Sequence, residues 1–190
     1  RAIEDLHRGR PIAESPSFSD VDRAEALLRL ATCPYKLNSI STALALYSQA
    51  LDLVERSGLP ADRLRSHVLQ WRSRCYRRQR DWEAAREDVE RALELAEGLN
   101  DRSTMANAYF QASLIAQRQG HYVLSRSYAQ RAKELYQAVN DERSVGRLLL
   151  MLGGLTLLLG DEEHAVQHLK ASYSRALDTD SPADAAQALE

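Results

Sequence analysis

The chain has 190 residues, with 25 Lys and Arg against 27 Asp and Glu and a formal net charge of −2. This balance excludes a strongly basic nucleic-acid binder, and 44% hydrophobic residues exclude a disordered chain. Two cysteines cannot form a disulfide framework, and the longest apolar tract, 148–159, is too short to span a membrane. We therefore expect a cytoplasmic protein without membrane contact and, because residue 1 is Arg, a piece of a longer chain.

Residues 1–18 combine charged positions with two prolines, which predicts a linker or N-terminal extension. From residue 19 onward, apolar residues recur with helical spacing, and no strand-like alternation persists. Pro34 is expected to stop or kink the first long helix, because proline lacks a backbone N–H. The predicted helices are 20–32, 39–57, 61–79, 82–99, 102–119, 122–139, 142–159 and 162–178, with the start of a further helix over 182–190.

Small residues recur at a fixed interval in the second helix of each predicted pair. The first series, spaced 42, 40 and 40 residues apart, is Ala43, Ala85, Ser125 and Ala165. A second series follows seven residues later, at Ala50, Ala92, Ala132 and Ser172. Seven residues are two helical turns, so each pair of small residues lies on one stripe of its helix. A period of this length indicates a stacked array of helix pairs.

Large and small residues also occupy matching positions across the four units. The second unit has Leu69, Ser73, Tyr76, Ala85, Val89 and Ala92. The third has Tyr109, Ser113, Ala116, Ser125, Ala129 and Ala132, and the fourth has Leu149, Gly153, Thr156, Ala165, Leu169 and Ser172. The first unit matches in its second helix, at Ala43, Tyr47 and Ala50. This pattern resembles the tetratricopeptide repeat (TPR) family, in the long-form repeats of bacterial regulators and scaffold adaptors.

The resemblance implies an all-α fold, a right-handed α-solenoid of antiparallel helix pairs over residues 19–190. Its repeats would cover about 20–58, 61–99, 102–139 and 142–179, with a partial fifth over 182–190. The resemblance also implies that the first helix of each pair lines a concave groove, while the second lies mostly outside. Arg72 departs from the family pattern, which usually places a buried Leu there.

Charge is unevenly divided within the second repeat. Residues 63–80 hold seven Arg and no acid, whereas residues 82–99 hold six acids and two Arg. Arg in a groove suits the binding of carboxylates, because its planar guanidinium forms paired hydrogen bonds and stacks on aromatic rings. The alternative is that these Arg pair with acids of neighbouring helices, including Asp81, Glu83 and Glu87.

Thirteen residues are predicted from the repeat register to form a partner-binding groove: Lys36, Gln70, Trp71, Arg74, Arg77, Arg78, Asn107, Phe110, Gln111, Arg118, Arg147, Leu150 and Met151. For Trp71, exposure in the groove and packing between helices both remain open. The fourth repeat is apolar on all sides of its first helix, so Leu150, Met151, Leu157 and Leu158 cannot all be buried. Some of them must pack on a fifth repeat, line the groove, or form a homodimer.

Motifs of catalysis are absent from the sequence. It has no GxSxG, HExxH, Walker-type or GxGxxG pattern, so we expect no enzyme, no catalytic residue and no cofactor. His164 and His168 have a spacing that can bind zinc, but no third ligand is apparent, and no metal site is predicted. Cys33 and Cys75 are expected to be small buried residues.

These patterns predict a non-catalytic module that binds a protein or an acidic–hydrophobic peptide in its concave groove. The alternative is a sensor or oligomerisation domain of a bacterial helix-turn-helix transcriptional regulator. Direct contact with nucleic acid is not expected from this part of the chain, because its formal net charge is −2.

Overall fold

The computed structural model describes residues 10–178, and every regular element in this range is helical. A short helical segment over residues 10–14 precedes a turn. The longer helices are α1 (Asp20–Lys36), α2 (Ile40–Ser57), α3 (Asp62–Gln79), α4 (Trp82–Gly98), α5 (Arg102–Arg118), α6 (Tyr122–Ala138), α7 (Glu142–Leu158) and α8 (Glu162–Asp178). The predicted further helix over 182–190 and the first nine residues of the predicted N-terminal extension lie outside the described residues.

The chain divides into two compact units, unit 1 ending at Leu99 and unit 2 beginning at Asn100. Unit 1 contains α1–α4, and unit 2 contains α5–α8. Within each unit, a short turn folds every odd-numbered helix back on the next helix, forming antiparallel pairs, and the two pairs pack on each other. The result in each unit is the all-α arrangement of repeated helix pairs that the sequence predicts. None of the described helices is long and apolar enough to cross a membrane.

Helix boundaries follow local signals at the repeat turns. Asp81, Asp101 and Asp141 cap α4, α5 and α7, because each carboxylate accepts a backbone N–H three residues later. The turns inside the pairs of unit 2 contain Gly120 and Gly160 with φ of 80° and 83°, a conformation that glycine adopts without steric cost. These signals explain why most predicted helix ends lie close to the observed ones.

Pro34 was expected to stop or kink the first helix, with the helix end at residue 32, but α1 continues through Pro34 to Lys36. Proline at this position lies in the last helical turn, where its missing N–H removes one hydrogen bond. The ladder resumes after it, since the N–H of Leu37 donates to the carbonyl of Cys33 at 3.0 Å. The prediction of the α1 end was therefore wrong by one turn.

Small residues allow the helices to approach closely within each unit. All eight members of the two small-residue series are buried: Ala43, Ala50, Ala85, Ala92, Ser125, Ala132, Ala165 and Ser172. Ser125 Oγ donates to the carbonyl of Ser113 at 2.8 Å, and Ser172 Oγ donates to the carbonyl of Gly146 at 2.9 Å. A side chain that reaches the backbone of the neighbouring helix requires short separation between the helix axes, which only small residues permit.

Candidate functional site

Two aromatic and two Arg side chains form one surface cluster on unit 1, which we call the Arg–aromatic surface: Tyr35, Trp71, Arg74 and Arg78. The rings of Tyr35 and Trp71 meet edge to face with their centroids 5.6 Å apart. The guanidinium carbon of Arg74 lies 4.2 Å from the Trp71 ring centroid, and that of Arg78 lies 5.3 Å from the Tyr35 ring centroid. These distances place both cations over aromatic faces, where the ring quadrupole attracts positive charge.

Tyr47 of α2 supports this surface from below. Its side chain is fully buried, and its ring stacks on Trp71 at a centroid distance of 6.1 Å. Burial raises the pKa of the Tyr47 hydroxyl, which therefore stays protonated at neutral pH. The Tyr47 hydroxyl has no hydrogen-bond partner among the described residues. Trp71 packs on the core of unit 1 and is covered by Arg74, which supports the packing interpretation, whereas its exposure in a groove stays a prediction.

Exposure differs among the cationic residues predicted for the groove. Arg78 and Lys36 are exposed, whereas Arg74 and Arg77 are half-buried. Arg78 also donates a long hydrogen bond of 3.4 Å to the carbonyl of Tyr35. The stacked guanidinium groups offer planar, charged donor edges next to apolar rings. This arrangement can recognise a carboxylate that lies beside an aromatic or aliphatic group.

Arg72 of α3, unlike Arg74 and Arg78, forms an ion pair, and its partner is Asp88 of α4. Two hydrogen bonds of 2.7 and 2.6 Å join the guanidinium to both carboxylate oxygens. The side chains are 16% and 4% exposed, and the hydrogen bond to Asp88 raises the pKa of Arg72. The pairing hypothesis therefore holds for Arg72, with Asp88 in place of the acids that the sequence analysis named. The sequence signal for this ion pair is Arg72 itself, because the family usually places a buried Leu at this position.

Two of the predicted groove residues, Gln70 and Gln111, are buried, with exposures of 4% and 2%. The Gln70 amide donates to Ser66 Oγ at 3.3 Å, one turn earlier in α3. The Gln111 amide oxygen is buried and has no hydrogen-bond partner among the described residues. The expectation that both line an open groove is wrong, because the helix rotation places their side chains against neighbouring structure.

An apolar stripe runs along the exposed side of α7 in unit 2 and consists of Leu150, Gly154, Leu157 and Leu158. Leu150 is half-buried, Gly154 is exposed, and Leu157 and Leu158 are 54% and 59% exposed. Their spacing of three to four residues places them on one face of the helix. The expectation that some of the apolar residues of this helix stay unburied is confirmed for Leu157 and Leu158.

Helix α5 lies beside α7, because Ser113 Oγ is 3.4 Å from Met151 Sδ. Phe110 of α5 and Met151 of α7 are half-buried and pack partly on the core of unit 2. Asn107 accepts a hydrogen bond of 2.8 Å from the Tyr136 hydroxyl, so this residue holds α5 against α6.

Two further Arg predicted for the groove are exposed in unit 2. Arg147 precedes the apolar stripe on the same face of α7 and donates to Ser144 Oγ at 2.8 Å. Arg118 stands at the end of α5. Basic residues therefore accompany the apolar surface of this unit.

The structure shows the surroundings of the two histidines and two cysteines that the sequence singled out. Nδ1 of His164 lies 2.9 Å from both carboxylate oxygens of Asp161, and this contact raises the His164 pKa, whereas burial lowers the pKa of His168. Within residues 10–178, no three His, Cys, Asp or Glu residues are placed to hold a metal ion. Cys75 is buried, but Cys33 is only half-buried, which corrects its prediction as a core residue.

Comparison with known proteins shows where the repeat pattern recurs. The tetratricopeptide repeat family model matches residues 66–99, which include most of α3 and all of α4. A structure of BtubC (BKLC) from P. vanneervenii is 18% identical with a TM-score of 0.78, covering 93% of this chain and 71% of that chain. No curated protein sequence matches the chain.

Two Rap structures share the fold. A Rap protein complexed with competence and sporulation factor is 18% identical with a TM-score of 0.87, covering 96% of this chain and 50% of that chain. The Rap conjugation gene regulator of the plasmid pLS20 is 14% identical with a TM-score of 0.83, covering 98% of this chain and 51% of that chain. The chain therefore spans about half the length of these Rap proteins, and at such identities the likeness concerns the fold.

Proposed function

We propose that this tetratricopeptide repeat protein is a non-catalytic interaction module that binds an acidic–apolar peptide or protein segment. The observation that carries the proposal is the Arg–aromatic surface, where Arg74 and Arg78 stack on Trp71 and Tyr35. Stacking restricts the rotamers of both Arg side chains before a partner arrives, so less conformational entropy is lost on binding. An acidic residue of a partner segment binds at this surface of unit 1, through charge-assisted hydrogen bonds to the guanidinium groups.

Unit 2, considered by itself, offers a second surface, which suits an apolar segment of a partner. Phe110, Leu150 and Met151 contribute half-buried apolar side chains, and Leu157 and Leu158 contribute exposed ones. Exposed apolar side chains grouped on one helix face are typical of surfaces that bury a partner. Arg118 and Arg147 add positive charge to this unit, which favours partners with acids next to their apolar residues.

Repeat folds of this kind present an extended surface that suits the recognition of a partner. The Rap neighbour is an example of the same fold in a complex with competence and sporulation factor. For the present chain we infer a cytoplasmic location, in keeping with its two unpaired cysteines.

A second candidate function is a sensor or oligomerisation domain of a bacterial transcriptional regulator. The fold that the chain shares with the Rap conjugation gene regulator favours this candidate. The reading frame upstream of Arg1 tests it, because a helix-turn-helix domain encoded there would support the regulator and its absence would contradict it.

Selection from a library of displayed random 15-residue peptides tests the interaction module. We expect enriched peptides to contain both acidic and large apolar residues, and the variant Arg74→Gln/Arg78→Gln to bind them at least about tenfold more weakly. Arg86→Gln is the matched control, because Arg86 is exposed on α4 and pairs with Glu90 of the same helix. An absence of enriched peptides, or enriched peptides that bind the double variant equally well, would contradict the proposal.

A further inference from the structure

Gly154 lies in the last two turns of α7, within the apolar stripe. A Cβ atom built at Gly154 would meet no atom of residues 10–178 within 4 Å, so within this range the space above the residue is open. Leu150 stands one turn before it, and Leu157 and Leu158 stand one turn after it. The absence of a side chain at Gly154 therefore leaves a notch between large apolar residues on the exposed side of the helix.

Among residues 10–178, neither packing nor backbone conformation requires glycine at position 154. Gly153, its neighbour, is required by packing, because a Cβ there would come within 2.7 Å of Leu169 Cδ2. Gly154 has neither such a contact nor a positive φ. Glycine inside a helix is less favourable than any residue except proline, so Ala at 154 would suit the helix better.

We propose that the notch at Gly154 is the subsite for one large apolar side chain of the bound partner. The partner is an acidic peptide segment, because Arg143 and Arg147 are exposed on the same face of α7, within three turns before the notch. Its apolar side chain enters between Leu150 and Leu157, while its acidic residues lie toward the two Arg. This proposal rests on the proposed function and assigns Gly154 as its specificity-determining residue.

Shape explains why a single residue decides specificity here. A Leu side chain at 154 would fill the notch and leave a convex surface, so a partner side chain would lose its contacts with Leu150 and Leu157. Losing the fit of one side chain in an apolar subsite costs about tenfold or more in binding. Peptides that lack a large apolar residue do not use the notch and are unaffected by the change.

The experiment uses the displayed 15-residue peptides selected on the wild-type chain, synthesised and titrated against Gly154→Leu. We expect binding to weaken at least about tenfold. Gly98→Leu is the matched control, because Gly98 on α4 is also exposed with open space at its Cβ position, but belongs to unit 1. Circular dichroism and thermal unfolding confirm that both variants fold, which the open space at both positions leads us to expect.

The outcomes separate this proposal from the proposed function. If Gly154→Leu binds the selected peptides as tightly as wild type while Arg74→Gln/Arg78→Gln does not, the notch is refuted and the interaction module stands. If no peptide is enriched on wild type, the proposed function fails first. If sedimentation shows a wild-type dimer that Gly154→Leu dissociates, the occupant is a second copy of the chain, and the peptide proposal is refuted.

Discussion

The guanidinium of Arg72 in α3 binds both carboxylate oxygens of Asp88 in α4, through hydrogen bonds of 2.7 and 2.6 Å. This contact joins the basic helix of the second repeat to its acidic partner helix. Arg91 of α4 adds a more exposed contact, 3.0 Å from Glu55 of α2. Arg74 and Arg78 instead stack on aromatic rings, so these two Arg differ from Arg72 in contributing to the Arg–aromatic surface.

Asp88→Ala is expected to lower the free energy of unfolding by about 3–5 kcal/mol, because it leaves the Arg72 guanidinium largely buried without its carboxylate partner. Arg72→Leu/Asp88→Leu removes both charges and should recover most of that loss, since a well-packed apolar pair often replaces a buried ion pair without cost. Urea unfolding of both variants checks the difference. Equal destabilisation by the single and double variants would show that shape, rather than charge, dominates this contact.

Gly153 and Gly154 are adjacent but face different surroundings, and the same substitution should therefore have different effects. Gly154→Ala is expected to raise the free energy of unfolding by about 0.5–1 kcal/mol, because Ala lowers the entropy cost of helix formation. Gly153→Ala should lower it by about 1–3 kcal/mol, since its Cβ would lie 2.7 Å from Leu169 Cδ2. Denaturant titration of the two variants side by side checks this, and equal stabilities would refute the close approach of α7 and α8.

The sequence predicts the repeat architecture well because the information is local and repeated. Small residues at fixed intervals determine where helices approach, and the capping residues Asp81, Asp101 and Asp141 determine where helices begin. The turn residues Arg80 and Gly120 share a positive φ exactly one 40-residue repeat apart, which shows that the backbone repeats even where the residue type does not.

The candidate sites are harder to predict, because whether a side chain is buried depends on the rotation of its helix about the helix axis, to within a few tens of degrees. Gln70 and Arg74 are one turn apart on α3, yet Gln70 is buried and Arg74 reaches the Trp71 ring. Residue spacing alone cannot distinguish a position at the edge of a packed helix face from a position at the edge of an exposed face. The hydrogen bonds between Arg72 and Asp88 could not be predicted either, because residues sixteen positions apart come into contact only after the two helices pack.

The reactivity of the Cys75 thiol tests whether this side chain is buried in the core of unit 1. Burial raises the pKa of the Cys75 thiol to about 11, so at pH 8 it stays protonated and should resist iodoacetamide in the folded protein. Cys33 is half-buried and should react first. Mass spectrometry of the alkylated chain checks the order, and both thiols should react in urea. Rapid labelling of Cys75 under native conditions would contradict its burial.

The same pKa determines how Cys75 affects stability in alkaline solution. The folded state holds the thiol proton more tightly than the unfolded state, so its contribution is complete below about pH 9 and is lost as pH rises toward about 11. The Cys75→Ala variant removes this contribution and should show a smaller alkaline loss than wild type. Comparing the two proteins is necessary because burial also raises the pKa of Tyr47.

Asp161 and His164 form an exposed pair at the start of α8, with His164 Nδ1 2.9 Å from both Asp161 oxygens. The hydrogen bond to Asp161 raises the His164 pKa, so the contribution of this His to stability is present at acidic pH and is lost as pH rises through its raised pKa. Asp161→Asn should lower the His164 pKa while keeping the helix cap, because Asn caps helices as well as Asp does. NMR titration of the imidazole protons measures the pKa, and Glu162→Gln is the control, since Glu162 does not contact the ring in the described contacts. An unchanged His164 pKa in Asp161→Asn would show that the pair does not form in solution.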